Sequence, residues 1–490
     1  MENTVTKKNI NKNWLEMIIL ISLFNFLFLG SEYLFDNMIA KVANPSKVVI
    51  AQSYVLGASV VGFVLYPIIK KILDNKTGIK NTKNIAVSLA IVLGCFCVWK
   101  FSHSDSYNVI LMCGCLLFII LGAFGSTVFY FTAINYGNSK YLGKTIGFAY
   151  GFGLLIQFVS NNLIKSNNLE SVSIVVLWVA AIIIVQKISG KSNSDDRCDN
   201  AVKEKGGLKN NYVMVILLIA IVVLMANVFT TLDNVVTLFH ADGTFDVGQY
   251  PRLFLAVSGI VAGILFDIKK GRFMYIIMYC ITLLSTICIL TIVSGGAFLT
   301  GLLVFYLSAG FFAVFFTTAF VKISLKMENT RLWAGMGRAV NNLMAVLMGS
   351  WSLKLYSTEN VLLITVLSLV LFVAISVLIF LYTMKNIQIN RAEIIENNWD
   401  NLTNSEKEIN STNETDKLQM FSENFSLTKR EKEVLEALLN SDGSVQNIAA
   451  GLYISRAALY RHISNINKKT DTNSRVGLIK FYYTWTENTI

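Results

Sequence analysis

Charge, proline and histidine are all scarce in this chain. Of its 490 residues only 15% are charged and three are proline, while 54% are hydrophobic. That balance excludes an ordinary soluble protein. Three histidines, His103, His240 and His462, are scattered and announce no metal cluster. The seven cysteines follow no disulfide framework. Cys95, Cys97, Cys113, Cys115, Cys280 and Cys288 fall in apolar runs, and Cys198 falls in a polar loop. The pairs Cys95-Phe96-Cys97 and Cys113-Gly114-Cys115 suggest a metal site, but residues two apart on a helix point to nearly opposite sides. They read as small apolar side chains in a helix bundle. Gly143-Lys144-Thr145 ends like a phosphate loop, yet Asn138 stands where that motif requires glycine. With no catalytic constellation and no receiver domain for phosphorylation, the expectation is a protein that is not an enzyme and carries no cofactor or metal.

What the chain has instead is apolar runs of membrane-spanning length over about three-quarters of its residues. Lys7, Lys8 and Lys12 precede the first run, and no small-residue cleavage site follows it, which predicts a retained helix and not a signal peptide. Twelve spans are expected, near 14–36, 48–69, 84–100, 107–134, 142–164, 171–187, 212–234, 250–267, 272–294, 297–323, 332–356 and 360–384. With the N-terminus inside, the cytoplasmic connections carry roughly 22 Lys and Arg against roughly 5 outside, and an even count of spans returns the C-terminus to the cytoplasm. Most of the net charge of +11 thus reflects orientation in a cytoplasmic (inner) membrane, with lipid as surroundings.

The apolar part repeats itself. Asp36-Asn37 recurs as Asp233-Asn234, Asp74-x-Lys76-x-Gly78 as Asp267-x-Lys269-x-Gly271, and Leu142 through Gly147-x-Ala149 as Leu332 through Gly337-x-Ala339. Shifts of about 190 to 197 residues relate all three pairs, as two parallel six-helix halves require. The expected boundaries are 1–186 and 212–384 for the halves, with 187–211 as a central cytoplasmic loop. This pattern resembles the major facilitator superfamily, although Asn75 and Ile268 replace the arginine of that family's loop and both glycines come one position late. The resemblance implies that the first and seventh helices line a central cavity.

Ionisable and amide groups at membrane depth are costly and therefore suspect. Glu32, Asp36 and Asp233 lie toward the outer ends of the first and seventh spans, and Arg252 enters the eighth from the same side. Arg338, with Asn341 and Asn342, lies one to two turns inside the eleventh span, and Gln157 and Asn161 lie on the fifth. Two roles fit: a polar vestibule gripping a small-molecule ligand, or side chains snorkelling to the interface.

Residues 385–425 are rich in Asn, Glu, Ser and Thr and read as a linker, mobile beyond about Trp399. The segment 426–485 then changes character. Thr428 and Glu431 form a capping box ahead of Val434, Leu435, Leu438 and Leu439. Ser444 is placed to cap a short second helix with Ile448, Ala449 and Leu452, and Ser455 a third burying Leu459, Ile463 and Ile466. A fourth is expected from Asn473 or Ser474, with Val476, Ile479 and Tyr483 inward. Opposite the third helix's apolar stripe lie Arg456, Tyr460, Arg461 and Ser464, followed by Lys468 and Lys469. Such a helix fits the major groove, with Lys and Arg neutralising phosphates.

Leu427-Thr428-x-Arg430-Glu431-x-Glu433-Val434-Leu435, Ile448-Ala449, Leu452-x-Ile454-Ser455, His462-x-x-Asn465-Ile466 and Ser474-Arg475 together resemble the LuxR-type (NarL-like) helix-turn-helix domain of bacteria. Ala458-Leu459-Tyr460 replaces its usual Thr-Val-Lys, and Gln446-Asn447 its usual Lys-Glu. The resemblance implies double-stranded promoter DNA as partner and a homodimer supported by the fourth helix. Ser455, Arg456, Tyr460, Arg461, Ser464, Lys468 and Lys469 are the expected DNA-contacting residues. The fold expected for the whole chain is all-α: a polytopic membrane protein of twelve helices in two pseudo-symmetric halves, plus a C-terminal four-helix DNA-binding domain. The function expected is a membrane-bound transcriptional regulator sensing a small molecule; the alternative is a major facilitator-type transporter with an autoregulatory DNA-binding tail.

Overall fold

The computed structural model describes the backbone of residues 2–74, 80–164, 166–192, 208–244, 246–293, 298–357, 360–439 and 445–485. Lys76, Gly78, Cys198, Gly443 and Ser444 lie outside the described residues. The chain divides into two compact units, Met1–Ile387 and Gln388–Ile490. All regular structure among the described residues is helical.

In the first unit lie α1 (Glu2–Ala40), α2 (Pro45–Asp74), α3 (Lys80–Ser102), α4 (Tyr107–Tyr136), α5 (Leu142–Leu163), α6 (Asn167–Ser192), α7 (Leu208–Ala241), α8 (Tyr250–Phe266), α9 (Met274–Val293), α10 (Phe298–Ser324) and α11 (Thr330–Ser357). α12 (Val361–Asn424) begins there. Each expected span overlaps one of these helices. Among the described residues eight are long and apolar enough to cross a membrane, and Val87–Ser102, Tyr250–Phe266 and Met274–Leu290 are apolar but shorter. α11 belongs to neither set, because Arg338, Asn341 and Asn342 interrupt its apolar character. The protein is a multi-pass membrane protein.

Packing repeats with a shift of six helices. α2 packs on α4 and α11, and correspondingly α8 packs on α10 and α5. The α5–α8 contact needs glycine: a Cβ on Gly147 would stand 2.6 Å from the Gly263 Cα. Without side chains there, the two backbones approach closely. Ser and Thr hydroxyls within the apolar helices return their donors to the preceding turn, as Ser22 does to the Ile18 carbonyl (2.7 Å) and Thr132 to that of Val128 (2.8 Å).

The second unit holds α13 (Lys429–Leu439), α14 (Val445–Gly451), α15 (Arg456–Thr470) and α16 (Arg475–Thr484). Val434, Leu435, Leu438, Ile448, Leu459, Ile463, Ile466, Leu478 and Tyr482 form its core. The capping box is formed: the Thr428 backbone N–H donates to the Glu431 carboxylate (2.8 Å), and the Glu431 N–H to the Thr428 hydroxyl (3.3 Å). Ser455 caps α15 through the Ala458 N–H (3.2 Å), and Ser474 caps α16 through the Gly477 N–H (3.0 Å).

Two expectations need correction. The linker after the last span is helical as far as Asn424, where mobile chain was expected beyond Trp399. Its last turns belong to the second unit: Leu418 and Phe421 are buried in the core, and Phe425 packs against it. Composition concealed this, because a few apolar side chains three to four apart suffice for a packed face among many polar neighbours. The Phe421 ring sits 5.2 Å from Tyr482 and 5.3 Å from Trp485, an aromatic cluster worth more than its area alone. The inner face of α16 is also different. Val476 is 74% exposed and Tyr483 57%, while Leu478 and Tyr482 point inward. α16 is apolar on both sides, so periodicity left its orientation open and contact with Phe421 selected it.

Candidate functional site

Two polar surfaces stand out, one in each unit. In the first unit, α1 carries Glu32 and Asp36 four residues apart on one face, α7 carries Asp233, α8 carries Arg252, and α11 carries Arg338, Asn341 and Asn342. All of them line one cavity of about 150 Å³, walled further by Phe28, Tyr150, Phe229, Phe305, Tyr306 and Phe312. Glu32 and Asp36 are 8% and 5% exposed and Arg338 8%, so these groups face inward and do not snorkel.

The hydrogen bonding is incomplete. The Gln52 amide donates to Glu32 (2.8 Å), Asn342 donates to the Ser59 hydroxyl (2.8 Å), and Asn234 to the Ser352 hydroxyl (2.7 Å). The Arg338 guanidinium lies over the Phe28 ring at 4.7 Å. Asp36 Oδ1, Arg252 Nε and Arg338 Nε are buried with no hydrogen-bond partner. Gln157 differs from the other expected residues. It does not line the cavity; it is fully buried and donates to the Leu29 carbonyl at 3.0 Å.

The residues at one side of the cavity escaped the sequence reading. The Tyr33 hydroxyl donates to Asp246 Oδ1 (3.0 Å), and the Tyr33 ring stacks on His240 (5.3 Å). A His240 ring nitrogen lies 3.1 Å from Asn37 Oδ1. These contacts tie α1 to α7 and to the turn before α8. His240 and Tyr33 gave no signal in the sequence because residues 207 apart are made neighbours only by the packing of α1 and α7. Gln52 and Ser53 carried a usable one: adjacent polar residues inside an apolar run. Remote from these contacts along the helices, the Asp267 carboxylate accepts the Gly143 N–H (2.7 Å) and the Lys144 N–H (2.8 Å) at the N-terminus of α5. A carboxylate there satisfies donors that no intrahelical carbonyl reaches. It gives the aspartate of the loop Asp267-x-Lys269-x-Gly271 a partner, the Gly143-Lys144 pair.

In the second unit, α15 presents Ser455, Arg456, Tyr460, Arg461, Ser464, Lys468 and Lys469 on its exposed face, with Leu459, Ile463 and Ile466 buried beneath. The turn before it passes through Tyr453, 95% exposed at φ +55°. Six of the seven expected DNA-contacting side chains have nothing else to do beyond Ser455's capping. Lys469 differs: its ammonium donates to Glu431 Oε2 (2.7 Å) and to the Ser426 carbonyl (2.8 Å). Burial raises the Glu431 carboxyl, but the hydrogen bonds from Lys469 and Thr428 outweigh it and hold the group below its ordinary value. Lys469 therefore buttresses α13 against α15.

Residues 425–482 match the family model described as bacterial regulatory proteins, luxR family. No curated protein matches the chain. Among solved structures, the human organic anion transporter MFSD10 (TETRAN) is 12% identical with a TM-score of 0.52, over 76% of this chain and 98% of that one. The major facilitator superfamily proton:xylose symporter XylE, solved with bound 6-bromo-6-deoxy-D-glucose, is 12% identical with a TM-score of 0.51, over 76% of this chain and 95% of that one. At such identity the likeness is one of fold. Residues 425–482 are a LuxR-type helix-turn-helix domain, joined in one chain to a multi-pass membrane part with the fold of the major facilitator transporters.

Proposed function

We propose that this chain is a membrane-bound transcriptional regulator: the membrane unit binds a small molecule in its polar cavity, and the LuxR-type domain binds promoter DNA. The observation that carries this reading is the free basic and polar face of α15, with Arg456, Tyr460, Arg461 and Ser464 exposed above a buried apolar stripe. A helix so equipped can present bidentate donors to guanine and phosphate contacts at its end. The chain crosses a cytoplasmic membrane twelve times in two six-helix halves, with both termini inside, where the positive-inside bias puts them. Dimerisation on DNA uses the outer face of α16, where Val476, Ile479 and Tyr483 recur at helical spacing and Val476 and Tyr483 are exposed. A second copy of the domain is the natural cover for that stripe.

Ligand binding acts by differential affinity for two arrangements of the halves. The Asp267 contact with α5 belongs to the arrangement seen here, and rearrangement alters how readily two DNA domains pair. The transporter alternative gains less: α4 and α10 carry no carboxylate for proton coupling, and it uses the DNA-binding tail only for autoregulation.

The test is to sequence chromosomal DNA recovered with the full-length protein, and to repeat the capture with Arg461→Ala. Enrichment of a few promoter sites, lost in the variant, with matching changes in transcription of those genes, is expected. Uniform recovery of DNA, or unchanged transcription, would refute regulation. Uptake of a labelled ligand into vesicles holding the purified protein would favour the transporter.

A further inference from the structure

We propose that the cavity of the membrane unit takes a small zwitterion, a molecule with an ammonium or quaternary ammonium at one end and a carboxylate or similar anion at the other. The proposal rests on the reading of that unit as a sensor and names what it senses.

Glu32, Asp36 and Asp233 line the cavity together with Arg252 and Arg338. None of the ion pairs within 4.0 Å among the described residues involves any of the five. Charges of both signs share one small space and are held apart from one another. Buried charge without a partner is strongly unfavourable, so a ligand that supplies the missing partners gains correspondingly. An anion alone would face three carboxylates. A cation alone would leave two guanidinium groups uncompensated. A zwitterion answers both sets at once.

The unpartnered atoms show where the ends go. Asp36 Oδ1 is a free acceptor for an ammonium N–H, next to Glu32, whose other engagement is with Gln52. The Nε donors of Arg252 and Arg338 are free for an anion. Phe28 covers one face of the Arg338 guanidinium, and stacking of that kind leaves the edge donors for planar, bidentate recognition of a carboxylate. The volume of about 150 Å³ sets the scale: an apolar cavity of that size holds a benzene ring, so a molecule of about six to ten heavy atoms fits.

The full-length protein in detergent provides the test, with β-alanine, glycine betaine and taurine as zwitterionic probes and propylamine and propionate as the two halves. At least one zwitterion is expected to raise the thermal unfolding midpoint and to bind about tenfold or more tighter than either half, since a site built for polar partners rejects analogues lacking one. Asp36→Asn should abolish that response without lowering the midpoint of the ligand-free protein, and Arg338→Gln, which also gives up the Phe28 contact, should abolish the response relative to its own ligand-free midpoint; should either fail to fold, Asp233→Asn serves in its place. Stabilisation by phosphatidylethanolamine, with none by the soluble probes, would support the same chemistry in a lipid head group. Equal binding of a zwitterion and one of its halves, or no response to any zwitterion, would overturn the proposal. Neither result touches the promoter capture, so failure of this ligand class and failure of the regulatory reading are told apart.

Discussion

The two units treat buried charge in opposite ways. In the C-terminal unit the buried carboxylate among the described residues, Glu431, receives the Lys469 ammonium and the Thr428 backbone N–H, and the charges on α15 other than Lys469 stand in solvent. In the membrane unit, five ionisable side chains surround a cavity with three polar atoms unpartnered. Pairing serves a fold that must hold one shape. Withheld pairing suits the proposed site, which leaves its interactions to a partner that is not part of the chain. The same contrast separates Lys469, spent on structure, from Lys468 one residue before it, which is exposed.

The comparison breaks most severely where the C-terminal unit loses its aromatic core. Phe421→Ala should cost about 3–5 kcal/mol, enough to unfold that unit while the membrane unit stays intact; limited proteolysis of the full-length protein would show selective cleavage. Next comes DNA binding. Arg461→Ala should weaken specific binding by about 1–3 kcal/mol and non-specific binding less, whereas Lys468→Ala should weaken both alike and reduce the salt slope by about one. Equal losses for Arg461→Ala would remove it from the residues reading bases.

Lys469→Ala should act on stability, by about 1–2 kcal/mol, and not on DNA specificity. Because the folded-state Glu431 carboxyl lies below its ordinary value, its contribution is complete above the unfolded-state value and is lost as pH falls through the folded one. The stability gap between the native chain and Glu431→Gln, followed by thermal unfolding, should therefore close in acid and not in alkali. The smallest effect is expected in the cavity: without ligand, Asp36→Asn should leave the unfolding midpoint unchanged or raise it, since no ion pair is broken. A loss like that of Lys469→Ala would mean that Asp36 is paired after all and would erase the contrast.

Much of this was legible from residue order. The helix-turn-helix is local: Thr428 and Glu431, Ser455 with Ala458, and the stripe of Leu459, Ile463 and Ile466 interact within a few residues, so spacing alone shows them. The acidic pair on α1, Asp233, Arg252 and Arg338 were visible as charges in apolar runs, because burying them needs a reason. Three features were not legible. The orientation of α16 depended on which of its two apolar faces met Phe421. The helical end of the linker depended on a core that lies beyond it in sequence. Gln157 stood among suspects by depth, but depth does not say which way a side chain turns.

The sequence by itself determined that this protein lives in a membrane, that its apolar part repeats a pattern, and that its last segment is a LuxR-type helix-turn-helix. Those properties follow from composition and from contacts between near neighbours along the chain. Only the tertiary structure decided that Glu32, Asp36, Asp233, Arg252 and Arg338 converge on one cavity, that Tyr33 meets His240, and that Asp267 captures the start of α5. Each of those joins helices far apart in sequence, and distance along a chain carries no information about proximity until packing has brought the helices together.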